Sequence, residues 1–280
     1  MAVRIIVDSS TDVSETYRNK IRVVPLAVCF GQTEYLDGVT LDKQDFYKKL
    51  VESDVLPTTS QATPAAFDEV FRDVAAAGDS AVVITLASTL SGTYQSACLA
   101  AESYENIHVV DGMTVAIGTG VLAEFAVDLA ESGMDAEQIA EEVAMKREDV
   151  RVIALLDTLE YLKKGGRISK TVAFAGGVLN IKPVVTLENG QVQLIGKARG
   201  SRNGNNLLVE KINESGGVDF SKPVLLGYTG LTSALLDKYE ADSSDLWQGH
   251  TEKLERCLMC SVIGTHAGPG AVAVAFFRKA

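Results

Sequence analysis

Apolar positions along this chain alternate between two patterns. Short runs of four to eight apolar residues read as strands buried on both faces, whereas longer segments with an apolar residue every third or fourth position read as helices. In the first half the strand pattern falls at residues 4–7, 23–28, 81–86 and 107–110. Helix patterns fall at 43–52, capped by Asp42, at 65–77, from about 93 onward, and at 113–131. Three consecutive strand-to-helix steps predict a mainly parallel sheet in a three-layer α/β/α domain. Residues 57–64 (PTTSQATP) place hydroxyls between two prolines and predict an exposed, ordered loop.

Beyond an amphipathic helix at 135–147 the pattern changes. Strand runs at 152–156, 184–187 and 192–195 flank a glycine-rich stretch at 163–177, and Glu188-Asn189-Gly190 predicts a hairpin turn. Helices at 204–214, 233–239 and 251–259, with strands at 224–228 and 271–276, complete an α+β arrangement with a mixed sheet. At 280 residues the chain is long for one core. The expected fold class is therefore α/β in two domains, 1–149 and 150–280, joined near 148–151.

Composition narrows the function. Hydrophobic residues make up 46% and aromatic residues 6%, the profile of an aliphatic globular core. Lys and Arg number 26 against 37 Asp and Glu, a formal charge of −11. That balance argues against nucleic acid as a partner and leaves only transient contact with an anionic membrane. The first residues run straight into a strand pattern and no apolar run is long enough for a spanning helix, so a cytoplasmic protein is expected. Cys29, Cys98, Cys257 and Cys260 are scattered and form no disulfide framework, which fits a reducing compartment.

Several apparent motifs lose force on inspection. Gly118-Thr119-Gly120-Val121-Leu122-Ala123 fits the dinucleotide fingerprint, but its glycines sit inside a helix pattern instead of directly after a strand. Close helix packing explains them, and the same small residues make this helix, with Gly118, Val121 and Leu122, a candidate wall for an apolar tunnel. Cys257, Cys260, His250 and His266 are zinc-ligand types, yet no knuckle turn separates the cysteines, which read as small buried residues at the end of a helix. No metal site is expected. Ser91 lacks the first glycine of a nucleophile elbow. It sits where the 81–86 strand gives way to a helix, so it caps that helix or donates to an anion held at the helix start.

An ordered set of motifs runs through nearly the whole chain. VDSS occupies 7–10, YLDG 35–38, TTSQ 58–61, STLSGTYQSA 88–97, LEYLKKGGRIS 159–169, LNIKPVV 179–185 and HAGPGA 266–271. In these the sequence resembles the DegV proteins, a bacterial fatty-acid-binding family. The resemblance implies a carrier that encloses one long-chain fatty acid, with the carboxylate site on the first domain and the second domain closing the acyl tunnel. Thr59 and Ser91 would hold the carboxylate, with Ser60, Gly92 and Thr93 beside them and His266 approaching the same region.

The resemblance further implies no catalytic residue and no cofactor other than the bound fatty acid. A separate dihydroxyacetone-kinase-like fatty acid kinase would phosphorylate the presented carboxylate for phospholipid synthesis. Lys164, Arg167 and Arg199, with Lys197, are candidates for contacting that partner, or else form a solvated basic face. The alternative function is an acyl hydrolase or acyltransferase that pairs Ser91 with His266.

Residue chemistry supports the lipid reading independently. Two hydroxyl donors and the N–H groups of Gly92 and Thr93, at the positive end of a helix, satisfy a carboxylate without a full countercharge. At about 0.8 kcal/mol per buried CH₂, a tail of roughly sixteen carbons contributes on the order of 12 kcal/mol before ordering costs. Each charged hydrogen bond adds only about 1.5–3 kcal/mol. The tail therefore sets affinity and the head group sets orientation.

Overall fold

The protein is described by a computed structural model covering residues 2–169, 180–250, 252 and 254–279. Strands β1 (Val3–Asp8), β2 (Ile21–Val24), β6 (Ser80–Thr85) and β7 (Ile107–Asp111) form a parallel sheet in the order β2-β1-β6-β7. Because successive side chains point to opposite faces, β1 feeds two cores. Ile5 and Val7 pack with helices α5 (Ile117–Glu131) and α6 (Ala136–Lys146). Ile6 packs instead with α2 (Lys43–Glu52), α3 (Pro64–Ala76) and α4 (Thr93–Ala101). This is the three-layer α/β/α arrangement that the strand-helix alternation predicts.

A second sheet is mixed. It joins β8 (Val150–Leu155), β9 (Ile181–Glu188), β10 (Gln191–Arg199), β11 (Val224–Tyr228), β12 (Glu255–Leu258) and β13 (Val272–Phe277) in the order β10-β9-β8-β13-β11-β12, and only β11 and β12 run parallel. The β9–β10 turn places Asn189 and Gly190 at positive φ, as the Asn-Gly pair predicts. One face of this sheet is covered by α8 (Ser201–Glu214) and α9 (Ala234–Asp242), with Trp247 of α10 (Ser244–Trp247) buried among them.

Helix α5 lies between the two sheets, and every residue from Ile117 to Val127 is buried. A helix apolar on all sides needs such a place. Its glycines allow the approach: a Cβ on Gly118 would stand 2.2 Å from Val152 Cγ2, and one on Gly120 would stand 2.0 Å from the Asp12 carbonyl oxygen. The helix begins at Ile117, not near 113, because Met113 and Ala116 take positive φ.

Two further differences from the sequence pattern matter for the site. The apolar run 23–28 is broken by Pro25, which has no N–H for a sheet ladder. Its second half becomes β3 (Ala27–Phe30), which pairs antiparallel with β4 (Thr33–Leu36) and β5 (Thr58–Ser60) in a third sheet. The hydroxyl-rich segment therefore supplies a strand where a loop is expected. Likewise the helix expected at 251–259 is replaced by β12, which pairs with the open edge of β11. Helix α11 (Ser261–Ala267) follows, with Cys260 as its N-cap. Short helices α1 (Glu15–Arg18) and α7 (Glu160–Lys164), with a 3-10 turn at Arg147–Asp149, complete the described elements. The glycine-rich stretch beyond Ser169, Leu179, Thr251 and Lys253 lie outside the described residues. Among those described, no helix is long and apolar enough to cross a membrane.

Candidate functional site

The three sheets and α11 surround a cavity with about 930 Å³ of space unfilled by protein atoms, its mouth included. Its floor is the mixed sheet, where Ala154 pairs in register with Ala273 and both line the space beside Val152 and Val185. Two methyl side chains at adjacent positions leave room that larger residues would fill. Leu86, Leu90, Val115 and Ala116 enclose it from the parallel-sheet side, and Met259, Val262 and Ile263 from the α11 side.

Polar lining residues gather at one end. Thr59 is fixed by the pairing of β5 with Val28 of β3, and its Oγ1 shares a 2.8 Å hydrogen bond with His266 Nε2 at the end of α11. Ser60, Gln61, Ser91 and Arg167 also line this end. Ser91 Oγ lies 2.9 Å from Thr93 Oγ1 and accepts a 3.3 Å bond from the Thr93 N–H. Gly92 fits beneath Gln61, whose Oε1 would stand 2.2 Å from a Cβ there, while Gln61 Nε2 donates to Ser96 Oγ at 2.8 Å. The other polar lining residue, Thr186, is occupied by donating its hydroxyl to the Val152 carbonyl at 2.8 Å.

His266 is neutral near pH 7. Burial brings its pKa down from 6.5 to about 4, and the Arg167 guanidinium adds to the effect. A neutral imidazole donates from one nitrogen only. If Nε2–H donates to Thr59 Oγ1, the threonine keeps its own hydrogen for an acceptor in the cavity. Nδ1 has no partner and faces the backbone of Gly165, where a Cβ would come within 2.2 Å. Ser91 is bonded to Thr93 and His266 to Thr59, so no serine–histidine–carboxylate relay is assembled among the described residues.

A buried polar network sets the position of α11. Asp12 Oδ1 accepts from Lys43 Nζ at 2.6 Å and Oδ2 accepts from the Cys260 N–H at 3.1 Å. Lys43 also donates to the Leu258 carbonyl, Tyr47 donates to the Met259 carbonyl at 3.0 Å, and Asp37 Oδ1 accepts from the Ser261 N–H. Burial alone would pull the Lys43 pKa down, but Asp12 together with the nearby Cys260 and Cys257 outweighs it and the ammonium is held above its usual range. Asp8 ties the ends of β1 and β6 together, accepting from Ser10 and from the Leu86 N–H at 2.7 Å. Thr89 Oγ1 donates to the Gly190 carbonyl at 2.5 Å, which holds the Ser91 loop against the β9–β10 hairpin.

The structure therefore brings Thr59, Ser60, Ser91 and His266 to one cavity end, with Gly92 and Thr93 directly behind Ser91. It does not bring Gly118, Val121 or Leu122 to the cavity: they are buried in the core between the sheets, and only Val115 and Ala116, ahead of α5, reach the lining. Of the basic candidates, Lys164 pairs with Glu160 at 2.6 Å and Arg199 is exposed at the end of β10, whereas Arg167 lines the cavity. The zinc-type residues do not form a metal cluster among the described residues, and burial raises the pKa of both Cys257 and Cys260. Sequence reasoning missed Arg167 as a lining residue and missed the Asp12–Lys43 anchor. Asp12, four residues after the end of β1, was a visible signal, but Lys43 lies 31 residues away and Cys260 lies 248 away.

The chain resembles known proteins over nearly its whole length. Residues 2–279 match the family described as "Uncharacterised protein, DegV family". A DegV domain-containing protein of Caldanaerobacter subterraneus is 36% identical over 284 residues, covering 99% of both chains. Among solved structures, a fatty-acid-binding DegV family protein from Thermus thermophilus has a TM-score of 0.86 and 30% identity, over 99% of this chain and 100% of that one. A stearic-acid-binding protein from Eubacterium ventriosum has a TM-score of 0.87 and 27% identity, over 100% and 99%.

Proposed function

Since the chain belongs to the DegV family, whose structures bind fatty acids, we propose that it binds one long-chain fatty acid and presents the carboxylate to a partner kinase. The observation that carries this reading is the division of the cavity: hydroxyls, His266 and Arg167 at one end, aliphatic side chains over the rest. An amphiphile with one small polar head matches that division, and burying each CH₂ of its tail contributes about 0.8 kcal/mol. Thr59 and Ser91 hold the head group, with the N–H groups at the start of α4 behind them. Residues 1–149 supply Thr59 and Ser91, and residues 150–280 bring His266 and Arg167 to the same end and close the tunnel.

The chain is a carrier and leaves the chemistry to a dihydroxyacetone-kinase-like fatty acid kinase, which converts the presented acid to an acyl phosphate for phospholipid synthesis. Exposed Lys164 and Arg199 are the partner contacts this reading offers. The separate bonding of Ser91 and His266 favours a carrier over an acyl hydrolase. Solvent extraction of the purified protein followed by mass spectrometry tests the proposal. It should yield about one long-chain fatty acid per chain, and lipid-free protein that ignores added palmitate and oleate would overturn it.

A further inference from the structure

We propose that a separate cleft, outside the carboxyl ends of β1 and β2, is a second ligand site that takes a primary aliphatic amine, with its ammonium paired to Asp37. The carboxyl ends of parallel strands are where open α/β sheets bind ligands. The cleft shares no lining residue with the fatty-acid cavity, so it stands whether or not that reading holds.

The cleft has about 1,310 Å³ of space unfilled by protein atoms, its mouth included. Its charged lining residues are Asp12, Asp37, Asp42, Lys43 and Arg18. Lys43 is bonded to Asp12 at 2.6 Å and Arg18 pairs with Glu15 at 3.1 Å. That leaves two carboxylates, Asp37 and Asp42, with which no cation pairs among the described residues. Asp42 stands at the exposed rim, where its Oδ1 accepts from the Asp45 N–H at 2.9 Å and caps α2. Asp37 is only 3% exposed. Its Oδ1 accepts from the Ser261 N–H at 3.2 Å, whereas Oδ2 has no partner. Thr11, which is 9% exposed and lines the same cleft, likewise has no partner for Oγ1. The backbone around Asp37 is fixed before any ligand arrives. Its N–H donates to the Leu26 carbonyl at 3.0 Å, and the Gly38 N–H donates to the Leu41 carbonyl at 3.0 Å.

A buried carboxylate without a countercharge is unfavourable, and a cation delivered by a ligand removes that cost. Burial raises the Asp37 pKa, and the Asp12 charge adds to the effect. The surroundings favour an organic cation over a metal ion. Among the described residues no three His, Cys, Asp or Glu side chains gather as metal ligands, and hard divalent cations need about six oxygens. The rest of the lining is aliphatic instead, with Val13 and Pro25 inside and Val23 and Val39, 46% and 67% exposed, among the lining residues. A primary ammonium has three N–H donors, which suit Asp37 Oδ2 and Thr11 Oγ1, and its methylene stem suits the valines.

The test titrates n-butylammonium chloride into wild-type protein at pH 7.5 and follows backbone amide NMR shifts, with n-butanol and magnesium chloride as controls. Butylammonium should saturate one site with a Kd of about 1 mM or tighter. The largest shifts should fall at Ser9, Thr11, Gly38 and Val39, and neither control should produce them. Asp37→Asn keeps an acceptor for the Ser261 N–H and should weaken butylammonium at least about tenfold, the value of one charged hydrogen bond. Thr11→Val, which removes only an unpartnered hydroxyl, should weaken it by about two- to tenfold. Without ligand, Asp37→Asn should match or exceed wild type in urea stability, which separates a lost ligand contact from a lost fold. The proposal is overturned by wild-type protein that shows no saturable shift, by shifts centred elsewhere, or by equal binding to wild type and Asp37→Asn. Saturation of the same amides by magnesium overturns the assignment to an amine.

Discussion

Thr59 Oγ1, on a three-residue strand, lies 2.8 Å from His266 Nε2, at the far end of the chain and on a seven-residue helix. The bond joins the third sheet to α11 across the polar end of the cavity, and both residues line that space. Thr59→Val and Ser91→Ala should each weaken palmitate binding by about tenfold to a hundredfold, the value of one charged hydrogen bond. A double-mutant cycle by calorimetry should show a coupling of about 0.5–3 kcal/mol between them. Strictly additive losses would mean that the two hydroxyls do not share one ligand.

Acid should destabilise the protein through His266. Its folded pKa of about 4 lies below the ordinary 6.5, so the unfolded chain takes up the proton first. The stability it contributes is complete above about pH 6.5 and is lost as pH falls toward 4. In urea titrations between pH 7 and 4, His266→Gln should therefore lose less stability than wild type.

Glu124 acts in the opposite direction. Burial raises its pKa from 4.5 to about 7, although the Ser14 N–H donates to its Oε1 at 2.7 Å. The neutral form is the one the core favours, so its stability is present below about pH 4.5 and is lost as pH rises through 7. Glu124→Gln keeps an acceptor for Ser14. It should be close to wild type in stability at pH 5 and exceed it at pH 8.5, by on the order of 2–3 kcal/mol. Equal pH profiles for the two proteins would remove this account of Glu124.

Removing the cation from the α11 anchor should be costly. Lys43→Met leaves the Asp12 carboxylate, whose side chain is 0% exposed, without its 2.6 Å partner, and breaking such a pair costs about 3–5 kcal/mol. Asp12→Asn in the same background should recover part of the loss, because the uncompensated charge is then gone. Chemical denaturation of the two variants measures both effects.

Much of the fold was legible because it is local. The strand-helix alternation of the first half, the Asn189-Gly190 turn and the Asp42 cap each depend on residues within a few positions of one another. What failed depends on distant partners. Residues 255–258 become a strand because the edge of β11 is open to them, and 57–64 supplies β5 because β3 lies alongside. Gly118, Val121 and Leu122 look like a tunnel wall in sequence, since small and apolar residues suit either a channel or a tight helix contact. Only the position of Val152 and of the Asp12 backbone decides for the contact. Thr59, Ser60, Ser91 and His266, singled out through motifs, all line the cavity, whereas the inward turn of Arg167 depends on the carbonyls of Leu90 and Gly165.

The central claim, one fatty acid per chain with its head at Thr59 and Ser91, is tested most directly by titrating palmitate into delipidated protein in a calorimeter. Binding should saturate at one palmitate per chain, with the negative heat-capacity change of apolar burial. Absence of saturable binding for both palmitate and oleate would contradict it.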